Sequence, residues 1–315
     1  MRPAEYLFKR GMAHPRILPA ASRPIAGILW MLVTGLCFVT VTALVKFLGV
    51  GVPPAQSAFL RYVIGSVILL PLVFPAMRRA NLTRRHWTMF GVRGFMHAGG
   101  VILWFFAMTR IPLAEVTAMN YLTPVYVTIG AALFLGEKLA FRRIAAVGAA
   151  LLGTLIILRP GFREISPGHL AMLVAALVFG VSYLLAKITA DEVAPGVVVG
   201  MLSLFVTIAL APFAAMDWVT PNLRELAILS GVAFFATAGH FTMTLALRAA
   251  PIMVTQPATF LQLVWAIALG ALVFSEPVDM YVVLGGSIIL AAISFIAWRE
   301  AVVHRRIITP VTPVT

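Results

Sequence analysis

The residues able to do chemistry in this chain are few, and most of them sit inside long apolar runs. Thr117, Asn120, Tyr121, Pro124 and Thr128 recur at i, i+3, i+4, i+7 and i+11, within about 100° of one helix face. Pro124 has no N–H, so the carbonyl of residue 120 loses its helix partner. A hydroxyl side chain or a bound solute can take up that acceptor, or neighbouring helices satisfy an ordinary kink. Thr255, Thr259 and Gln262 share a second face, with Gln256 beside it and Pro257 interrupting the run. Two glutamines in an apolar stretch need a polar partner or water. They either bond between helices or face a hydrated space. Arg93, His97, Gly100 and Trp104 follow a third face, and Thr237, His240 and Thr244 a fourth. Phe179, Tyr183 and Lys187 make a fifth, with Ser182 adjacent; Trp30, Thr34 and Cys37 mark another run that Lys46 ends.

Donors, acceptors and rings of this kind hold a solute without breaking its bonds. Each of the two histidines is either a hydrogen-bonded packing residue or a ligand or proton group. Arg93 is under two turns from the end of its run and can snorkel; Trp104 can belong to an interfacial belt. Arg61, about two turns into its run, is a structural pairing residue or a substrate contact. Glu115 is the one carboxylate inside a run, on the face opposite Asn120 and Tyr121. It compensates a helix N-terminus, paired with Lys46 or Arg110, or it carries a coupling proton. The chain has no GxxxxGK[ST], HExxH or GxSxG motif, no TVGYG filter, and no pair of intramembrane carboxylates. One cysteine permits no internal disulfide or thiolate metal site. The expectation is a non-enzyme with no cofactor and no metal.

The elements that must position these residues follow from composition. Of 315 residues, 61% are hydrophobic and 11% charged, against ~45–50% and ~25% in a globular domain. A soluble core cannot hide that much apolar surface, so the outside must face lipid. Ten runs are long enough to span: roughly 25–47, 55–77, 87–109, 112–135, 140–158, 168–188, 195–216, 225–247, 251–275 and 279–298. Each is apolar all round, which favours helix over barrel strand. With the N-terminus placed in the cytoplasm, alternate assignment of the loops leaves 17 of the 24 Lys and Arg on that side. The bias sets both ends inside. The net charge of +13 is spread between spans and not gathered into a patch, so no nucleic acid partner is expected.

Residues 107–137 and 246–276 align without a gap at an offset of 139, matching Pro112 with Pro251, Leu122 with Leu261 and Glu137 with Glu276. Five spans per half is an odd number, so the second half must sit inverted relative to the first. Gly148, Gly153, Gly285 and Gly286 suit close helix contact, either between spans five and ten or on the surface of a homodimer.

FLRY (Phe59–Tyr62), IPLAEVTAMNYLTPVYVTIGAALFLGE ending at Glu137, the Gly148/Gly153 pair, Arg159–Pro160–Gly161 and the second copy ending at Glu276 together resemble the drug/metabolite transporter superfamily, in its EamA-type branch. Ser275 before Glu276 and Pro277 after it depart from the pattern. The resemblance implies an all-α, ten-helix 5+5 inverted repeat: a basic tail (1–24), a first five-helix unit (25–160), a second (161–300) and a cytoplasmic tail (301–315). It implies a basket around a central cavity built by spans one, three, four, six, eight and nine. It further implies multi-pass insertion in a bacterial inner membrane and a secondary carrier of a small organic metabolite, driven by a gradient or by protons. Amino acid derivatives, riboflavin-like vitamins and nucleoside-like solutes are the candidates. A lipid-head-group flippase and an intramembrane transferase are the competing readings.

Overall fold

A computed structural model describes residues 23–134, 141–190, 192–250 and 255–308. Eleven helices follow in chain order: α1 (Pro24–Leu48), α2 (Pro54–Arg79), α3 (Arg84–Met108), α4 (Leu113–Asn120), α5 (Leu122–Phe134), α6 (Phe141–Leu158), α7 (Pro167–Ala190), α8 (Pro195–Met216), α9 (Leu223–Ala249), α10 (Phe260–Phe274) and α11 (Met280–Ile308). No strand occurs among the described residues. Helix starts are written locally. Proline opens α1, α2, α7 and α8, where its missing N–H costs nothing. Thr83 with His86, and Asn222 with Glu225, form capping boxes for α3 and α9.

Among the described residues, eight helices are long and apolar enough to cross a membrane unaided. The other two crossings are broken. Span four is α4 plus α5, divided at Tyr121. Span nine is a 3-10 turn, Gln256–Thr259, running into α10. The offset of 139 maps Tyr121 onto Phe260, so the two breaks fall within a residue of each other in the repeat. Their prolines differ in place: Pro124 lies just after one break and Pro257 just before the other. The breaks share a position although their local causes differ.

Packing follows the same exchange of halves. α1 packs on α9 and α3 on α7; α5 packs on α7 as the span-nine segment packs on α1; α2 faces α8, and α6 faces α11. Swapping first and second halves returns the same set of partners, as a two-fold relation requires. Each span crosses the layer. The α1–α2 turn meets the α8–α9 turn, where the Gln56 amide donates to the Val219 carbonyl and accepts from the Val219 N–H. On the other face the Arg23 N–H donates to the Ala249 carbonyl at 2.8 Å. That second face carries Arg78, Arg79, Arg84 and Arg85 and is called the basic face here; the first is the sparse face. α1 starts and α11 ends at the basic face, so both ends of the described chain share a side.

Large side chains fully buried between helices include Phe105, Met108, Met119, Met172 and Leu210, while Leu72, Leu133 and Leu272 point outward at 76%, 71% and 85% exposure. A lipid-facing exterior accounts for them. Ser275, the residue departing from the repeat's Gly-Glu ending, adopts φ 55° and ψ 31°, the left-handed conformation in which glycine is at no disadvantage.

α6 and α11 meet backbone to backbone. A Cβ on Gly153 would lie 2.7 Å from the Gly285 carbonyl oxygen and 2.9 Å from Ile289 Cγ1, whereas one on Gly148 meets nothing within 4 Å. Gly153, Gly285 and Gly286 therefore serve contact within the chain. Gly153→Val is expected to lower the thermal midpoint of the purified protein by about 5–10 °C. Gly148→Val is the matched control and should move it by less than about 2 °C. Equal shifts would show that this contact is not close-packed.

Candidate functional site

The two broken spans touch at their breaks. The Tyr121 hydroxyl donates to the Thr259 carbonyl at 2.8 Å. From this crossing, α4 packs along α10 toward the sparse face. Toward the basic face α5 leans on α7 while the 3-10 turn leans on α1. The pair converges on one side of the membrane and spreads on the other.

Near the crossing lies a cluster of rings. The His97 ring is 4.9 Å from Phe179, 6.3 Å from Tyr183 and 6.4 Å from Tyr62, centroid to centroid. Its Nδ1 is 3.1 Å from the Ser182 hydroxyl. Trp104 adds an edge to Phe179. A Cβ on Gly100 would come within 2.7 Å of the Phe179 ring, so glycine is what lets that ring lie between α3 and α7. Tyr183 is 41% exposed although its ring faces His97 and Phe179, which are 5% and 6% exposed. Phe38 carries His240 edge-on at 5.2 Å on the α1–α9 side.

The remaining sequence candidates divide. Asn120 and Gln262 flank the two breaks, half-buried, with no hydrogen bond to a described residue. Thr117 and Thr255 are buried, and Pro124 is exposed. Thr128 donates to the Pro124 carbonyl, and Thr237 to Ala233 in its own helix. Thr34 donates to the Trp30 carbonyl and shares a hydrogen bond with Thr242 at 2.9 Å, so it stitches α1 to α9 and does not face the rings. Trp30 is 40% exposed. Trp104 is no belt residue, since its Nε1 is buried. Arg93 does not snorkel. It is 5% exposed and its Nη1 donates to the Val198 carbonyl of α8 at 3.1 Å, an acceptor nearer than the bilayer surface. The side chains of Thr244, Gln256 and Lys187, and the repeat residues Glu137 and Pro251, lie outside the described residues.

The converging side is laced by charge. Lys46 donates to Glu276 and, at 3.1 Å, to the Ile111 carbonyl; the other Glu276 oxygen accepts from the Leu113 N–H at 2.9 Å. Glu115 therefore pairs with neither Lys46 nor Arg110. It takes a bidentate fork from Arg163 at 2.8 and 2.9 Å and a third bond from His169. Arg159 reaches Asp279. All three groups join the first half to the second. Burial leaves Glu115 only 3% exposed, so a forked, charge-assisted contact is what keeps it there. The same carboxylate pushes the Arg163 guanidinium further above its ordinary pKa. A cleft of about 280 Å³ lies among Arg110, Glu115, Arg163, His169, Glu276 and Asp279. On the basic face the Arg85 guanidinium and His86 imidazole, 2.7 and 2.9 Å from Glu192, hold that carboxyl below the usual range. That pair is exposed, and little stability rests on it.

Sequence reasoning did not find His169, Tyr62 or Thr242. His169 had a signal: Ser166 and His169 have the spacing of a helix cap, and both the Ser166 N–H and its hydroxyl lie within 3.0 Å of His169 Nδ1.

A profile of the EamA-like transporter family matches residues 25–159 and again 166–298. The chain is 30% identical to a riboflavin transporter of Rhizobium johnstonii, covering 89% of this chain and 93% of that one. It is 28% identical to an S-adenosylmethionine uptake transporter of Rickettsia prowazekii, over 87% and 93%. It is 27% identical to the pseudopaline exporter CntI of Pseudomonas aeruginosa, over 85% and 94%.

Proposed function

The chain belongs to the EamA-like transporter family, within the drug/metabolite transporter superfamily, and from that premise we propose that it is an alternating-access secondary carrier in a bacterial inner membrane. It is a multi-pass small-molecule transporter and not an enzyme; the solute, the membrane and the energy source are the proposal. The solute is a small metabolite with a planar ring: riboflavin-like, nucleoside-like or an aromatic amino acid derivative. Gradient or proton drives it.

The observation that supports this reading best is the crossing of two broken helices, converging on one side and parted on the other, beside a cluster of rings. Inverted halves give such a scaffold two related packings, one open to each face. The rings of Tyr62, Phe179 and Tyr183 suit stacking, while Asn120 and Gln262 supply amides that no described residue uses. The flippase reading finds no support among the relatives.

Counterflow of labelled riboflavin, adenosine, S-adenosylmethionine and tryptophan into liposomes holding only this protein tests the carrier. Exchange of at least one above protein-free vesicles is expected, and exchange of none overturns the reading. For a solute that does exchange, Asn120→Ala and Gln262→Ala should each cut the rate about tenfold, the loss of one hydrogen bond of roughly 1.4 kcal/mol. Their melting curves should stay within about 2 °C of the parent, as expected away from the close-packed contacts. Loss of folded protein in both variants would assign these amides to packing.

A further inference from the structure

Arg61 and Arg93 enter the membrane from opposite faces. At 1.5 Å per residue Arg61 lies about 11 Å along α2 from the sparse face, and Arg93 about 14 Å along α3 from the basic face. In a hydrocarbon layer ~30 Å thick both are deep. They are 8% and 5% exposed. Among the described residues Arg61 has no hydrogen-bond or ion-pair partner; its guanidinium lies over the Tyr62 ring, 4.1 Å from the centroid. Arg93 donates once, to Val198, and its Nε is buried without a partner. Tyr62, next to Arg61 on α2, meets edge to face His97, one turn from Arg93 on α3, and both guanidiniums act electrostatically on His97 and His240. Among the described side chains, every carboxylate lies in a loop or in the first turn of a helix, and none reaches this cluster.

An uncompensated ion costs several kcal/mol in such surroundings, and two of like sign cost more. A guanidinium loses little by waiting over a ring, but its fork of donors is matched by an anionic oxygen group. Resting on the carrier reading above, we infer that the central site binds the anionic oxygen group, carboxylate or phosphate, of a solute whose planar ring stacks among Tyr62, Phe179 and Tyr183, with Arg61 and Arg93 as its countercharge. The solute brings the charge that the protein omits. Its departure leaves the arginines again without a partner, a cost that strengthens binding of the charged solute.

Matched probes test this in detergent-purified protein by ligand-induced thermal stabilisation. Indole-3-acetate is set against indole-3-acetamide, and flavin mononucleotide against riboflavin, so the first pair reports a carboxylate and the second a phosphate. In the wild type at least one charged member is expected to act at a concentration at least about tenfold lower than its neutral twin. Arg61→Gln should abolish that preference and leave the neutral twin's effect unchanged, and Arg61→Lys should keep part of it. Equal potency of the twins, preference for the neutral one, or no effect of either charged probe overturns the inference. So does an Arg61→Gln protein that weakens both twins alike. If Arg61→Gln does not fold, the wild-type comparison alone decides. Flux of only a neutral twin through proteoliposomes would defeat this inference and keep the carrier. Preferential anion binding without flux of any solute would defeat the carrier and keep the subsite.

Discussion

Glu115→Gln is expected to open the converging face. The substitution keeps the side chain's shape but removes the charge that Arg163 grips at 2.8 and 2.9 Å and that His169 also holds. A charge-assisted contact contributes ~1.5–3 kcal/mol. Arg163 is 23% exposed and can partly recover water, so a net loss of about 2 kcal/mol is reasonable. That corresponds to roughly a 30-fold shift in the balance between closed and open states. The measurement is the rate at which a membrane-impermeant maleimide, added from the sparse side, labels a cysteine at Thr117 in a Cys37→Ser background. Thr117 is buried one half-turn deeper than Glu115 on α4. Labelling at least tenfold faster in the variant is the expected result, and an unchanged rate would remove Glu115 from the closure. The same protein addresses energy coupling. If Glu115 also carries the coupling proton, Glu115→Gln loses pH-driven accumulation while exchange of solute persists. If pH dependence survives intact, the carboxylate only closes the face.

Gly100→Val is the substitution expected to damage transport most among those that leave charge untouched. Its Cβ would fall 2.7–2.8 Å from Phe179 ring atoms, so the ring must leave its place 4.9 Å from His97. Tyr183, stacked on Phe179, is displaced with it. Overpacking of this kind costs ~1–3 kcal/mol, enough to lower the melting midpoint by a few degrees without unfolding the chain. Flux should fall by more than about tenfold, more than one lost polar contact explains. Gly99→Val supplies the comparison, because a Cβ at Gly99 meets nothing within 4 Å. Equal loss of flux at both positions would indicate a general effect on α3 and not one on the rings.

Much of this arrangement is legible in the residues themselves. Ten spans, both ends on one side and a repeat at an offset of 139 follow from apolar run length, Lys/Arg placement and punctuation. So does a weakness in spans four and nine, because Pro124 and Pro257 each remove a rung. What did not follow is who meets whom. Lys46 was matched to Glu115 by nearness in the first half, but the two-fold relation brings Glu276 to it from the second half. Arg93 was expected to reach for the bilayer surface, because a helix taken alone offers no carbonyl from α8. For Arg61 the sequence leaves open a structural pairing or a substrate contact, and only the assembled fold shows that no described carboxylate comes near it. Thr34 lies on a polar face of its run, yet its hydroxyl is spent on Trp30 and Thr242. A one-dimensional pattern gives the face of a helix, and the partner on that face is a property of the assembled halves.

The bond from Tyr121 to Thr259 has a mechanical corollary. Because it ties the two interrupted spans at one point, any rocking of one half on the other leaves that point nearly still and moves the far ends most. α4 has 8 residues and α10 has 15, giving lever arms of about 12 and 22 Å. A tilt of roughly 10° would carry their tips about 2 and 4 Å, beyond the reach of a hydrogen bond. The ionic lacing at the sparse face would part, while the rings beside the fulcrum would shift least.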